Sequence, residues 1–501
     1  MLNKSFFIVL FFSSSLFAFE YKDSVVVQQK NNGISVQELR NQLDDIFNDT
    51  NFLNAFWGVL IKSLKTGEII YKRNADKLFI PASNMKLFTT SAALLLLGDK
   101  YRYKTKIFAD GDINNGVLDG DLVLRGSGDP TISNRFVLGG INSVFKKWVD
   151  SLKNKNITKI TGDIIGDDDI FDEKSYGYGW SRDYEYSWFA APSGALSFNN
   201  NCINVKIIPG TNNLPADIEI QPDIKTYYFV NKVTTVSADE NSSTNIQLLR
   251  SRRNDIITVN GIIKANSEPV IEYIAVDDPT DFTVNSFAEV LIDNGIVLDG
   301  YATDADKEIH KLNYDDMVEL FEYSSVKLSD IVKETNKNSN NFYAEQLIKT
   351  IGYELLNYGT VENGVKAMRE IFETMGINID NLLFSDGSGL SCLDWVTPKQ
   401  IVNLLSYMYK SNQFKAFFNS LPIAGRDGTL ADRMKNTAAE DNVRGKTGYL
   451  SGVTALSGYL NTMDDEPLVF TMIVNNALVP SSLAQYLQDM VCVRLVNFSR
   501  K

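Results

Sequence analysis

Apolar positions recur at helical spacing from Val36 to Phe47 and then condense into two runs, Phe56 to Leu64 and Glu68 to Arg73, joined by Lys65-Thr66-Gly67. The pattern predicts a short helix followed by a β-hairpin. Beyond Pro81 comes a nearly continuous apolar run, Leu87 to Leu97, closed by Gly98. Proline suits a helix start and glycine a left-handed stop, so this stretch predicts a helix buried on most sides. About eleven apolar residues are too few to cross a bilayer, which takes roughly twenty.

From about Tyr101 to about Ala305 the texture changes to short runs rich in Val, Ile and Tyr, punctuated by Gly, Asp and Asn. Asp121 to Leu124, Tyr227 to Val236, Asp255 to Lys264 with an Asn260-Gly261 turn, and Pro269 to Ala275 read as strands, with one helix at Val284 to Asp293. Helical spacing returns at Leu328 to Thr335, Phe342 to Asn357, Val365 to Met375 and Pro398 to Lys410. Strand-like stretches follow at Gly445 to Leu460 and Pro467 to Asn475, and Ser481 to Phe498 closes the chain as an amphipathic helix. Strands near both ends with helices between them predict one α+β domain whose sheet is completed by distant segments. The expected division is residues 1–18 as an export signal, 19–100 and 306–501 as one discontinuous domain, and 101–305 as a mostly β insertion of one or two small domains.

Composition narrows the chemistry. The 501-residue chain is 44% hydrophobic and carries a net charge of -13, which argues against nucleic acid, whose phosphates call for clustered Lys and Arg. Lys4, the apolar stretch Phe6 to Phe12 and the small Ala18 have the layout of a secretory signal, so the protein is expected in the periplasm or cell envelope. Cys202, Cys392 and Cys492 are odd in number and far apart, and are expected as single buried thiols. His310 is the one histidine. A two-histidine zinc motif is therefore excluded, and a hydrolase built on this chain needs a lysine or carboxylate as its base.

Ser83 and Lys86 stand three residues apart at the opening of the apolar helix, on one face. A buried helix start needs neither group, so the pair reads as nucleophile and base. Ser-x-x-Lys alone is weak, since Ser143 to Lys146 and Ser324 to Lys327 match it too. Ser339 and Asn341 lie between two helical segments, where they either project into a cleft or cap a helix. Lys-Thr-Gly occurs at 65–67, in the hairpin turn, and at 446–448, opening a strand. There Lys446 and Thr447 either bind an anion beside the small Gly448 or form a solvated strand end.

The ordered set Ser83/Lys86, Ser339/Asn341 and Lys446/Thr447/Gly448 resembles the active-serine, Ser-x-Asn and Lys-Thr-Gly signature of penicillin-recognising D,D-peptidases and β-lactamases. Pro-Ala-Ser-Asn-Met-Lys-Leu-Phe-Thr-Thr at 81–90, Gly-Ser-Gly-Asp-Pro-Thr at 126–131, Asp-Gly-Ser-Gly-Leu-Ser at 386–391 and Gly-Arg-Asp-Gly-Thr-Leu at 425–430 resemble, more narrowly, the D-alanyl-D-alanine carboxypeptidase/endopeptidase family of the penicillin-binding protein 4 type. Cys392 departs from it, since an arginine commonly follows the 386–391 motif.

The resemblance implies a β-lactamase/transpeptidase-like domain, an antiparallel sheet flanked by helices, interrupted by the β insertion. It implies an acyl-serine enzyme without cofactor or metal, acting on peptidoglycan stem peptides and acylated by β-lactams. Ser83 would attack and Lys86 would take its proton, its ammonium being discouraged by burial and by the nearby Lys446. Ser339 would pass the proton on, Asn341 would orient the substrate amide, and Lys446 with Thr447 would hold its carboxylate. The backbone N–H groups of Ser83 and Tyr449 would cradle the oxyanion. A β-lactamase, or a non-catalytic wall-binding protein on the same fold, would share much of this pattern.

Overall fold

The computed structural model describes residues 33–238, 243–251, 254–309 and 311–501. The expected signal at 1–18 and His310 lie outside these residues. Helix α1 (Val36–Phe47) begins where the Ser35 side chain accepts from Glu38 N, and it buries Leu39, Leu43, Ile46 and Phe47 along one face. Strands β1 (Phe56–Ser63) and β2 (Ile69–Arg73) form the hairpin, with Gly67 at φ +79° in its turn.

Helix α2 (Met85–Leu96) follows a 3-10 turn over Ala82–Asn84. After the intervening region come α3 (Leu328–Lys337), α4 (Asn341–Leu356), α5 (Val361–Thr374) and α6 (Pro398–Lys410). Strands β3 (Arg444–Leu450), β4 (Val453–Asn461) and β5 (Pro467–Asn475) and helix α7 (Ser481–Val496) complete the body.

Its sheet is five-stranded and antiparallel, in the order β3-β4-β5-β1-β2. The distant ends of the chain therefore meet at the β1/β5 pair, as the α+β expectation requires. Successive residues of β1 feed opposite cores: Val59 and Ile61 pack with α1 and α7, whereas Leu60 packs with α2, α3, α4 and α6. The predicted single stretch from Gly445 to Leu460 is two strands, turned at Ser451-Gly452, where Gly452 takes φ +72°. That turn leaves β3 at the sheet edge, beside the 3-10 turn that carries Ser83.

The intervening region is less purely β than its texture suggests. A helix at Ser143–Asn154 buries Val144, Phe145, Trp148, Val149 and Leu152, and another spans Pro279–Asp293. The first contains Ser143 and Lys146, but Lys146 is exposed and Ser143 donates to Gly140 O, so that Ser-x-x-Lys match lies outside the packed face and does not pair the two groups. The two helices close a core with Phe198 and Phe287 over a seven-stranded sheet. Val318–Ser324 belongs to this sheet, paired antiparallel with Lys104–Asn114.

Asn260-Gly261 does not turn the chain. Strand Ile256–Lys264 runs straight through it, with Gly261 opposite Ile246. The glycine is needed because a Cβ there would lie 2.0 Å from the Asn245 carbonyl oxygen. Cys202 and Cys492 are buried, but Cys392 is exposed, which corrects the expectation of three buried thiols. Its loop brings the backbone to the surface just beyond the buried Ser391. Among the described residues no helix is long and apolar enough to cross a membrane.

Candidate active site

Ser83 sits on the 3-10 turn, and one turn on, the side chain of Lys86 comes back beside it with the amine 3.0 Å from Ser83 Oγ. Lys86 is fully buried. Its amine also donates to Asn341 Oδ1 at 2.5 Å and to the carbonyl of Ser388 at 2.7 Å. An ammonium has three donors, and three acceptors surround it. If the amine gives up one proton, the contact with Ser83 can reverse, the hydroxyl then donating to the nitrogen lone pair. Burial makes that form accessible, drawing the Lys86 pKa down to about 7 against the opposing pull of Asp386, Glu345 and Asp394.

Asn341 opens α4 without capping it. Asn340 does that, its side chain accepting from Tyr343 N at 3.2 Å. Asn341 is thereby free to bridge, its Oδ1 toward Lys86 and its Nδ2 donating to the carbonyl of Phe189 at 2.7 Å. Ser339 takes φ +55°, a strained conformation for a residue with a side chain. It receives a 2.8 Å hydrogen bond from Lys446 Nζ.

Lys446 is fully buried as well, its amine also bonded to Thr447 O at 2.9 Å. Burial, then the charge of Lys86, hold it well below an ordinary lysine. The expected repulsion between the two amines is thus felt at Lys446. Thr447 donates to Thr429 of the 425–430 motif at 2.7 Å. A Cβ on Gly448 would stand 2.8 Å from Pro81 O and 2.9 Å from Asn84 Nδ2, so glycine lets β3 lie against the Ser83 turn. Tyr449, the next residue, is mostly exposed.

Three carboxyls that the sequence reading did not single out lie behind Lys86. Asp386 accepts from Ser388 N, Gly389 N, Ser391 N and Trp180 Nε1, four bonds that fix its carboxylate in the loop. Glu345 accepts from Gly387 N at 3.1 Å and Asp394 from Ser385 N at 2.6 Å. Burial first, and then the charge of Asp386, push both of these well above the usual carboxylate range. Glu345 and Asp394 are thereby biased toward their neutral forms beside Lys86, which keeps the neutral amine within reach. Among the described residues no group of His, Cys, Asp and Glu is placed to hold a metal ion.

The loop of this cluster is pressed onto the nucleophile turn, for a Cβ on Gly389, at φ +79°, would lie 1.9 Å from Ala82 O. The other motif, 425–430, is tied down by Asp427, which accepts from the Lys337 amine at 2.6 Å just before Ser339. Residues 39–494 match the model of the D-Ala-D-Ala carboxypeptidase 3 (S13) family. The chain belongs to that family.

Within reach of the S13 family, a D-alanyl-D-alanine carboxypeptidase of Actinomadura sp. is 32% identical over 479 residues, covering 93% of this chain and 86% of the relative. The crystal structure of penicillin binding protein 4 from Haemophilus influenzae superposes with a TM-score of 0.77 at 25% identity, over 93% of this chain and 100% of that one. A second structure of the H. influenzae protein, complexed with a β-lactam, gives 0.70 at 24% identity, over 91% of this chain and 98% of that one.

Ser83, Lys86 and Asn341 are thus directly linked, Ser339 and Lys446 form a second linked pair, and Gly448 joins the two by lying against the Ser83 turn. The local signal for Asp386 was its motif, 386–391. Glu345 and Asp394 carry no comparable signal, because their proximity to Lys86 exists only after folding.

Proposed function

We propose that this S13 protein is an exported serine peptidase that removes the terminal D-alanine from peptidoglycan stem peptides and, by the same attack at a D-alanyl cross-link, acts as a D,D-endopeptidase. The observation that carries it is the 3.0 Å contact between Ser83 Oγ and a buried lysine whose neutral form is accessible near pH 7. Ser83 Oγ attacks the carbonyl between two D-alanines while its proton passes to Lys86 Nζ. The backbone N–H groups of Ser83 and Tyr449 receive the oxyanion, Asn341 orients the substrate amide, and Lys446 with Thr447 holds the terminal carboxylate. Ser339 passes the proton to the leaving D-alanine nitrogen, and water later releases the acyl group from Ser83. A β-lactam follows the same path and stalls as acyl-Ser83, a reading supported by the β-lactam complex of the H. influenzae relative. We also read 19–100 and 306–501 as the peptidase body around an insertion, with Val318–Ser324 going with the inserted sheet.

Ser83→Ala tests the reading: D-alanine release and covalent penicillin labelling both vanish while the thermal transition is kept. Labelling that survives the substitution refutes it, and rapid turnover of penicillin with no D-alanine release assigns a β-lactamase instead.

A further inference from the structure

Of the nineteen residues from Phe171 to Phe189, eight are aromatic, against 11% in the whole chain. Most have internal duties. Trp180 donates to Asp386, while Tyr184 and Phe189 pack with Ala82, Leu390, Leu450 and Val453 around the nucleophile turn. Two others face outward: Tyr178 is 76% exposed, and Trp188, edge-on to Phe189 at 5.9 Å, is 52% exposed.

Single exposed apolar residues need no explanation, but these two are held in place. The carbonyl of Tyr178 accepts from Ser391 Oγ at 2.8 Å, and the carbonyl of Phe189, next to Trp188, accepts from Asn341 Nδ2 at 2.7 Å. The backbone at Tyr178, and that next to Trp188, is thus held by an active-site side chain, Ser391 in the first case and Asn341 in the second. An exposed aromatic ring on backbone tied to active-site residues is a contact surface for a partner with one apolar and one polar aspect. Ser181, Arg182, Asp183 and Glu185, interleaved with the rings, supply hydrogen-bonding groups alongside.

We infer that Tyr178 and Trp188 form a platform for the sugar rings of the glycan strand that carries the stem peptide. A pyranose presents a face of C–H bonds to the ring and a rim of hydroxyls to its polar neighbours, the mixed surface this segment matches. The inference rests on the wall-peptidase reading and adds that the enzyme reads the saccharide as well as the peptide. It places the glycan along the 171–189 segment, which packs against the end of the strand that bears Lys446.

The test compares D-alanine release by the whole protein from a free stem pentapeptide and from the same pentapeptide on an N-acetylglucosaminyl-N-acetylmuramyl oligosaccharide. The expected wild-type KM is about tenfold lower for the glycan-linked form, a size appropriate to two ring contacts. In Tyr178→Ala/Trp188→Ala that advantage is lost with kcat kept, free-peptide kinetics stay within about twofold, and Trp188→Phe restores most of it. A wild type indifferent to the sugar, or a double variant that keeps the advantage, overturns the platform. Peptide-free oligosaccharide titrated against Ser83→Ala, read by tryptophan fluorescence, separates the two readings. Saturable binding that the ring substitutions abolish upholds the platform even if no D-alanine is released, and absence of binding rejects it even if the peptidase is active.

Discussion

Asn340 and Asn341 split between them two tasks open to a polar residue at a helix start. Asn340 caps α4 through Tyr343 N, and Asn341 bridges the Lys86 amine and the Phe189 carbonyl. Their substitutions should therefore fail differently. Asn340→Ala loses a cap and about 1 kcal/mol of stability, lowering the melting temperature, with penicillin labelling slowed only modestly. Asn341→Ala leaves the cap intact and slows labelling by about tenfold or more, because the amine is no longer held toward Ser83. Equal effects of the two on labelling would contradict the division.

The acid limb of the rate profile should report Lys86. As a base the amine must be neutral, and burial draws its pKa down to about 7. Lysine is charged below its pKa, so second-order acylation by penicillin should fall as pH drops through about 7 and level off above it. Lys86→Arg, which stays protonated throughout, should abolish acylation at every pH. A limb displaced to the pH of an ordinary lysine would show that the amine is not desolvated in solution.

Much of this was legible in the chain because it is local. Ser83 and Lys86 share a helix face by spacing alone, and the β1/β2 hairpin announces itself by two apolar runs around Lys65-Thr66-Gly67. What was not legible depends on partners far away in sequence. Asn260-Gly261 has the composition of a turn, yet its strand is paired on both sides, with 245–250 and 228–236, and that pairing overrides the local signal. The helix at Ser143–Asn154 has its apolar residues on one face, but the short β-like runs around it mask that period in the sequence. The three carboxyls behind Lys86 come from a helix and a loop roughly forty residues apart, and no spacing rule unites them.

Those carboxyls make a prediction with a definite sign. Burial and the charge of Asp386 raise Glu345, so it should hold its proton while Lys86 titrates. Glutamine is then its neutral equivalent. Glu345→Gln should keep both activity and the acid limb, whereas Glu345→Leu removes the acceptor of Gly387 N and should slow acylation about tenfold or more. If Glu345 were ionised, Glu345→Gln would delete a charge that favours the ammonium, and the limb would move down by about one pH unit or more.

Asp386 should behave in the opposite way. It accepts four N–H bonds, and an asparagine would turn an NH2 group toward donors it cannot satisfy. Asp386→Asn should cost about 2 to 4 kcal/mol, read as a lowered denaturation midpoint, because buried donors are left without acceptors. Labelling should fall too, since the loop that supplies the Ser388 carbonyl to Lys86 is held by those bonds. Unchanged stability would mean that the cluster is not the brace of this loop.

The two Lys-Thr-Gly copies offer a contrast within one chain. Gly67 stands at φ +79° with open space around it, so Gly67→Ala should cost only the strain of a left-handed alanine, about 1 kcal/mol, and leave acylation unchanged. Gly448 has no comparable freedom: an added Cβ meets Pro81 O at 2.8 Å, Asn84 Nδ2 at 2.9 Å and Ala455 Cβ at 3.1 Å. Two of those contacts flank Ser83, so Gly448→Ala must push β3 away from the nucleophile turn. A displacement of a few tenths of an ångström misplaces Lys446 and the Tyr449 N–H relative to Ser83, and acylation should fall by about ten- to a hundredfold. The stability cost should be about 1 to 3 kcal/mol, the usual range for overpacking. If Gly448→Ala acylates as fast as Gly67→Ala, the close approach of β3 to the Ser83 turn has no part in catalysis.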